Sequence, residues 1–93
     1  MKSVLVEDTS KCYVCGRTQV DGHHCIYGTG KRKISDKYSY IEPLCLDHHT
    51  GQHGVHNGNK ELDIHLKQLA QKHFEEHHGS REDFIRVFGK SYL

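Results

Sequence analysis

Apolar residues are scarce in this sequence. They make up 34% of its 93 positions, against roughly 45–50% in an ordinary globular domain. So short and polar a chain buries too little to hold itself together, and leans on a disulfide, a metal or a partner. Long apolar runs are missing too. Nothing approaches the roughly 20 residues of a membrane span, so no transmembrane segment is expected. Residues 1–10 contain only the short stretch Ser3–Val6, too little for the apolar centre of a signal peptide. The expected location is therefore the cytoplasm, where thiols stay reduced and disulfides are not anticipated. An excess of charge is also lacking. Thirteen Lys and Arg face twelve Asp and Glu, a net charge of +1 with His neutral. That balance excludes a protein that coats nucleic acid by its overall field, so any DNA contact must come from a local patch. With no repeat, low-complexity tract or linker, residues 1–93 read as one domain.

What the chain has in excess is metal ligands: four Cys and ten His, the His dispersed from His23 to His78. Cys12-x-x-Cys15 is followed directly by Gly16, a glycine suited to the tight turn of a zinc knuckle. Thirty residues beyond Cys15 comes Cys45-x-x-His48. Two ligand pairs, each with two intervening residues, form the spacing of a closed tetrahedral zinc site. A redox pair is the competing reading of Cys12 and Cys15, but no βαβ pattern surrounds them and a second pair exists. Cys25 is left over as a small buried thiol, or as a substitute for His48.

The coarse organisation follows from local signals. Residues 1–10 form an N-terminal arm. The β-prone stretch 23–27 and the segment Tyr38–Glu42 predict a hairpin, with Gly28-Thr29-Gly30 and the basic run Lys31-Arg32-Lys33 as its loop. Pro43 closes the second strand, and a short helix from Leu44 carries Cys45, His48 and His49, reaching His53 if it persists. A knuckle, a hairpin and a helix in that order make a treble-clef zinc finger, over residues 11–57. Residues 59–93 read as a helical extension. Asn59 caps a helix with Leu62, Leu66 and Leu69 on one face and Ala70 and Phe74 beside it. Gly79 stops it. Ser80 and Asp83 start a last helix with Phe84, Ile85 and Phe88 inward, and Gly89 ends it. The predicted fold class is small α+β, a zinc-stabilised core with C-terminal helices.

A second histidine set remains. Adjacent helical residues point about 100° apart, so His49 cannot share the ion that His48 binds. His49 and His53 are four apart and can chelate a second ion if the helix survives Gly51 and Gly54; His56 is the substitute if it does not. His23 and His24 can add a ligand and a base. Such a set permits metal-assisted hydrolysis of a phosphodiester.

The run Asp21-Gly22-His23-His24, the basic loop, and Tyr40 through Pro43, Cys45 and His48-His49 resemble the HNH endonucleases of the ββα-metal type. The resemblance is nearest to small phage-type members with an added zinc site, and covers residues 11–57. It implies His23, His49 and His53 as ligands of a catalytic divalent metal (Mg²⁺, Mn²⁺, Ni²⁺ or Zn²⁺), with His24 as general base. The structural Zn²⁺ would take Cys12, Cys15, Cys45 and His48. The family's central Asn, which pins the base-bearing backbone, falls on Tyr40, a departure. Lys31, Arg32 and Lys33, extended by Lys37 and Arg17, would meet the phosphate backbone of duplex DNA with little sequence preference. The expected function is a metal-dependent DNA endonuclease in a bacterial cytoplasm, of phage or prophage origin. The alternative is a non-catalytic zinc module that binds nucleic acid or protein; a weaker one is a sensor of exchangeable Zn²⁺ or Ni²⁺.

Overall fold

The computed structural model describes all 93 residues, Met1–Leu93. In chain order the elements are β1 (Asp21–His24), α1 (Lys31–Tyr38), β2 (Ile41–Leu44), α2 (Leu46–His49), α3 (Lys60–His77) and α4 (Arg81–Phe88). The architecture is small α+β: one two-stranded sheet and four helices. No helix is long and apolar enough to cross a membrane.

The strands pair antiparallel, with Asp21 opposite Leu44, Gly22 opposite Pro43, His23 opposite Glu42 and His24 opposite Ile41. Side chains of opposed residues share a face. Asp21 and His23 therefore lie on one side of the sheet with Leu44 and Glu42, and His24 lies on the other with Ile41. The N-terminal arm, residues 1–10, runs along β2 without joining the sheet. Ser3 Oγ donates to the Ile41 carbonyl (2.6 Å) and the Val4 amide to the Ser39 carbonyl (3.1 Å).

The hairpin loop is not a loop. Lys31-Arg32-Lys33 opens α1, and Tyr38 ends that helix instead of starting a strand. Three features override the strand reading. Gly30 sits at φ 78° and turns the chain into the helix. Ile34 and Tyr38, four apart, pack against the core. Ser35 is buried, and its hydroxyl donates to the Ile26 carbonyl (2.5 Å) and accepts from the Ile26 amide (3.2 Å). Ser39, left-handed at φ 61°, stops the helix, and β2 begins only at Ile41.

The extension follows its caps. Asn59 accepts from the Leu62 amide (3.1 Å) at the start of α3. Ser80 and Asp83 form a reciprocal capping box on α4, and Gly89 ends it at φ 97°. Leu66, Ala70 and Phe74, each four apart, meet Phe84 and Phe88 and the buried Ile26, Tyr40 and Leu44 in one core. Phe74 lies 5.5 Å from Phe84, edge-on, and Phe84 lies 4.8 Å from Phe88. Fully burying each such ring contributes roughly 2–3 kcal/mol. Cys25 and Tyr40 are wholly buried in this core. The helices thus supply the apolar mass that the Cys- and His-rich part lacks.

Candidate metal centres

The first cluster is assembled by two turns. Between Cys12 and Cys15 the chain closes on itself, with the Gly16 amide donating to the Cys12 carbonyl (2.9 Å) and Gly16 left-handed at φ 78°. The Tyr13 amide donates to the Pro43 carbonyl (2.8 Å) and ties this knuckle to β2. That strand runs into Cys45, the N-cap of α2, and His48 lies one turn on. The ligand atoms of Cys12, Cys15, Cys45 and His48 all lie within 4.8 Å of one another. A tetrahedral Zn²⁺ with Zn–S ≈ 2.3 Å and Zn–N ≈ 2.05 Å requires S···S of about 3.75 Å and S···N of about 3.6 Å. The separations are 3.7 Å between Cys15 and Cys45, 3.2 Å from Cys45 Sγ to His48 Nδ1, and 3.8 Å from Cys12 Sγ to that nitrogen. The donor set fits zinc.

Burial pushes the Cys45 thiol up. Hydrogen bonds from His48, Cys15 and Arg17 outweigh it and hold the thiol down to about 6. The Arg17 guanidinium donates to Cys45 Sγ at 3.7 Å. A thiolate is the form a metal binds. Cys25 takes no part: it lies in the core, outside the cluster.

The second cluster is His23, His49 and His56, with ligand atoms again within 4.8 Å. Ring centroids are 5.3 Å apart for His23–His49, 5.1 Å for His23–His56 and 5.0 Å for His49–His56. β1 presents His23, the last residue of α2 presents His49, and the turn beyond it presents His56. That turn decides the third member. α2 ends at His49, so the i, i+4 pairing of His49 with His53 does not form. Instead the chain folds back, with the Val55 amide on the His48 carbonyl (3.0 Å) and the His56 amide on the His49 carbonyl (3.0 Å). Glycine makes this possible. A Cβ on Gly51 would lie 2.7 Å from Asp47 Cα, and one on Gly54 2.6 Å from the His49 carbonyl oxygen.

His53 is consequently excluded from the second cluster. Its Nδ1 sits 2.9 Å from Asp47 Oδ2, and its side chain is largely exposed. The Tyr40 side chain likewise stands apart from the second cluster. Its hydroxyl pairs with the half-buried His73 Nδ1 at 3.2 Å, at the edge of the core, and its backbone carbonyl meets β1's continuation, accepting from the Cys25 amide (2.9 Å).

Burial pushes His23 down to about 3, with His49 and His56 adding to it, and burial lowers His49 as well. Neutral imidazole is the metal-binding form. Asp21, on the same sheet face as His23, places Oδ2 3.8 Å from His49 Nδ1. At that distance the carboxylate is a charge neighbour of the ring, not a hydrogen-bond partner.

The three rings border a cavity of about 310 Å³ that His24 and Arg32 also line. His24 leaves the other face of the strand and places Nε2 3.5 Å from Asp36 Oδ1 on α1. It borders an adjoining groove of about 520 Å³ with Arg32, Lys33 and Asp36. The basic run therefore divides. Arg32 and Lys33 line the groove. Lys31 leans toward the end of α4, where a Cβ at Gly89 would lie 3.4 Å from its Nζ, a helix terminus that favours a cation. No local sequence signal marks Asp21, Asp36 or Glu42 as site residues. Asp21 lies in the quoted motif, but its reach to His49 depends on strand register, which no local pattern reveals. No protein-family model, no curated protein and no solved structure matches the chain.

Proposed function

We propose that the chain is a metal-dependent DNA endonuclease of HNH type, built on a treble-clef zinc core. The observation that carries this reading is the convergence of His23, His49 and His56 in one cavity with His24 and Arg32. The Cys12, Cys15, Cys45 and His48 set holds a structural Zn²⁺. The three-His set leaves positions open for substrate, as catalytic sites require.

A divalent ion held there would act as a Lewis acid on a phosphodiester oxygen. The protein's own groups do the rest. His24 is the base that takes a proton from the attacking water, the role an imidazole most often fills. Asp36, with Oδ1 3.5 Å from His24 Nε2, faces that side of the ring and leaves Nδ1 free to receive the proton. Arg32 and Lys33 bind phosphate oxygens along the adjoining groove. Contacts of this type position a duplex without reading its sequence, so weak sequence preference is expected.

A non-catalytic zinc module is the second reading. Tyr40 favours it: the side chain at the family's Asn position points into the core and leaves the His24 backbone without that support. The two readings separate in one assay. Supercoiled plasmid is incubated with the zinc-loaded protein and added Mg²⁺, Mn²⁺, Ni²⁺ or Zn²⁺, with His24→Ala alongside. Metal-dependent nicking that is lost in the variant supports the nuclease. A folded protein that retains DNA but cuts with no metal overturns it in favour of the module.

A further inference from the structure

Three buried side-chain polar atoms in this protein have no hydrogen-bond partner: His23 Nε2 and both carboxylate oxygens of Glu42. They belong to one cross-strand pair, since His23 stands opposite Glu42 in the register. Both side chains are sealed, at 2% and 0% exposure. Opposed residues on a shared face have Cβ atoms about 5 Å apart, within reach of one another by side-chain rotation. Nearly every buried polar atom in a folded protein is satisfied, so three orphans on one pair require a reason.

The fold does not supply that reason. β2 is buried along its whole length as Ile41-Glu42-Pro43-Leu44, and an apolar residue at position 42 would suit such a strand better than a carboxylate. No Lys or Arg pairs with Glu42. The nearest feature that asks for a carboxylate is the three-His cluster, of which His23 is the buried member. Neutral imidazoles around a divalent ion leave its charge uncompensated, and His23 meets it from the buried side. A ligating His also has a second ring nitrogen whose proton needs an acceptor. For His49 the carboxylate at hand is Asp21, 3.8 Å from Nδ1; none meets His23 Nε2.

We infer that Glu42 is a positioning residue of the second metal centre: its carboxylate accepts a hydrogen bond from the His23 ring nitrogen turned away from the ion, and its charge offsets that of the ion. This rests on the metal reading of His23, His49 and His56. Glu42 itself is not a ligand, because it lies outside the set of converging atoms. Glu42 then holds the buried ring from the core, while the exposed Asp21 lies near His49 on the solvent side.

The full chain, loaded with one equivalent of Zn²⁺, is titrated with Mn²⁺ by calorimetry as wild type, Glu42→Gln and His56→Ala. The wild type is expected to bind one further ion. Glu42→Gln is expected to bind it ten- to a hundredfold more weakly, while keeping its first zinc and its amide spectrum. Equal affinity in Glu42→Gln overturns the inference alone. Absence of a further ion on the wild type overturns the metal reading and the inference with it. A second measurement needs no variant. With a second equivalent of Zn²⁺ on the wild type, the His23 ring N–H should give a slowly exchanging, downfield ¹H–¹⁵N signal typical of a carboxylate partner. A ring N–H in rapid exchange with water overturns the assignment even if Glu42→Gln does not fold.

Discussion

Replacing Glu42 by Gln should stabilise the protein increasingly as pH rises, as long as no ion occupies the three-His cluster. Burial pushes the Glu42 carboxyl from 4.5 up to about 7. A carboxyl raised in this way favours folding below its unfolded value. That contribution is lost as pH climbs through the folded value, because the native state must then either hold its proton or carry a buried charge. With 4.5 unfolded and about 7 folded, the penalty is roughly 1.4 kcal/mol at pH 5.5 and roughly 3.3 kcal/mol at pH 8. Gln does not titrate. Its buried amide carries a cost of its own, which is the same at both pH values and cancels in the comparison. His23, pushed down to about 3, titrates in both proteins and cancels as well. The stability of Glu42→Gln relative to wild type should therefore improve by about 2 kcal/mol between pH 5.5 and 8. For a domain of this size that is a relative gain of about 10 °C in Tm. Thermal unfolding of both proteins with one equivalent of zinc, at several pH values, reads it directly. Parallel curves across that range would refute the reasoning, because they would mean that Glu42 is not buried as an unpartnered acid. Together with the loss of ion affinity inferred above, the expected result is a residue that costs stability in order to serve a site.

Two further predictions concern the framework. Cys12→Ser should leave the chain largely unfolded at neutral pH, since structural zinc contributes on the order of 10 kcal/mol or more of apparent folding free energy; a circular dichroism melt like that of the wild type would remove the structural-zinc assignment. Gly54→Ala should lose the second ion while keeping the first, because a Cβ 2.6 Å from the His49 carbonyl oxygen pushes apart the turn that carries His56. Unchanged Mn²⁺ affinity in that variant would contradict the fold-back.

What the sequence conveys of this molecule is what is local. Cys12 and Cys15 sit on one turn, and Cys45 and His48 on another, so their spacing reports their convergence. The helices α3 and α4 are legible for the same reason. Asn59, Ser80 with Asp83, and Gly89 bond within their own turns, and Leu66, Ala70 and Phe74 repeat every four residues. α1 escapes because its signals conflict: Tyr38, Tyr40 and Ile41 read as β-formers, and the helix is decided by Ile34, Ser35 and Tyr38 meeting a core that no window of sequence contains. His53 appears as a ligand by helical periodicity and by the family resemblance. Gly51 and Gly54 decide between it and His56, the substitute that the sequence offers if the helix stops: they permit a close backbone approach, and His56 takes the place. Asp21 and Glu42 are the least legible. Each matters only through its neighbour across strands or elements, and that neighbour is set by register.

The plasmid assay with two single variants tests the account most directly. Wild type, His56→Ala and His53→Ala are each loaded with one equivalent of zinc and compared for cleavage of supercoiled DNA in Mn²⁺. The account predicts cleavage by wild type and His53→Ala and none by His56→Ala. Cleavage that survives His56→Ala but disappears in His53→Ala would contradict the centre described by His23, His49 and His56.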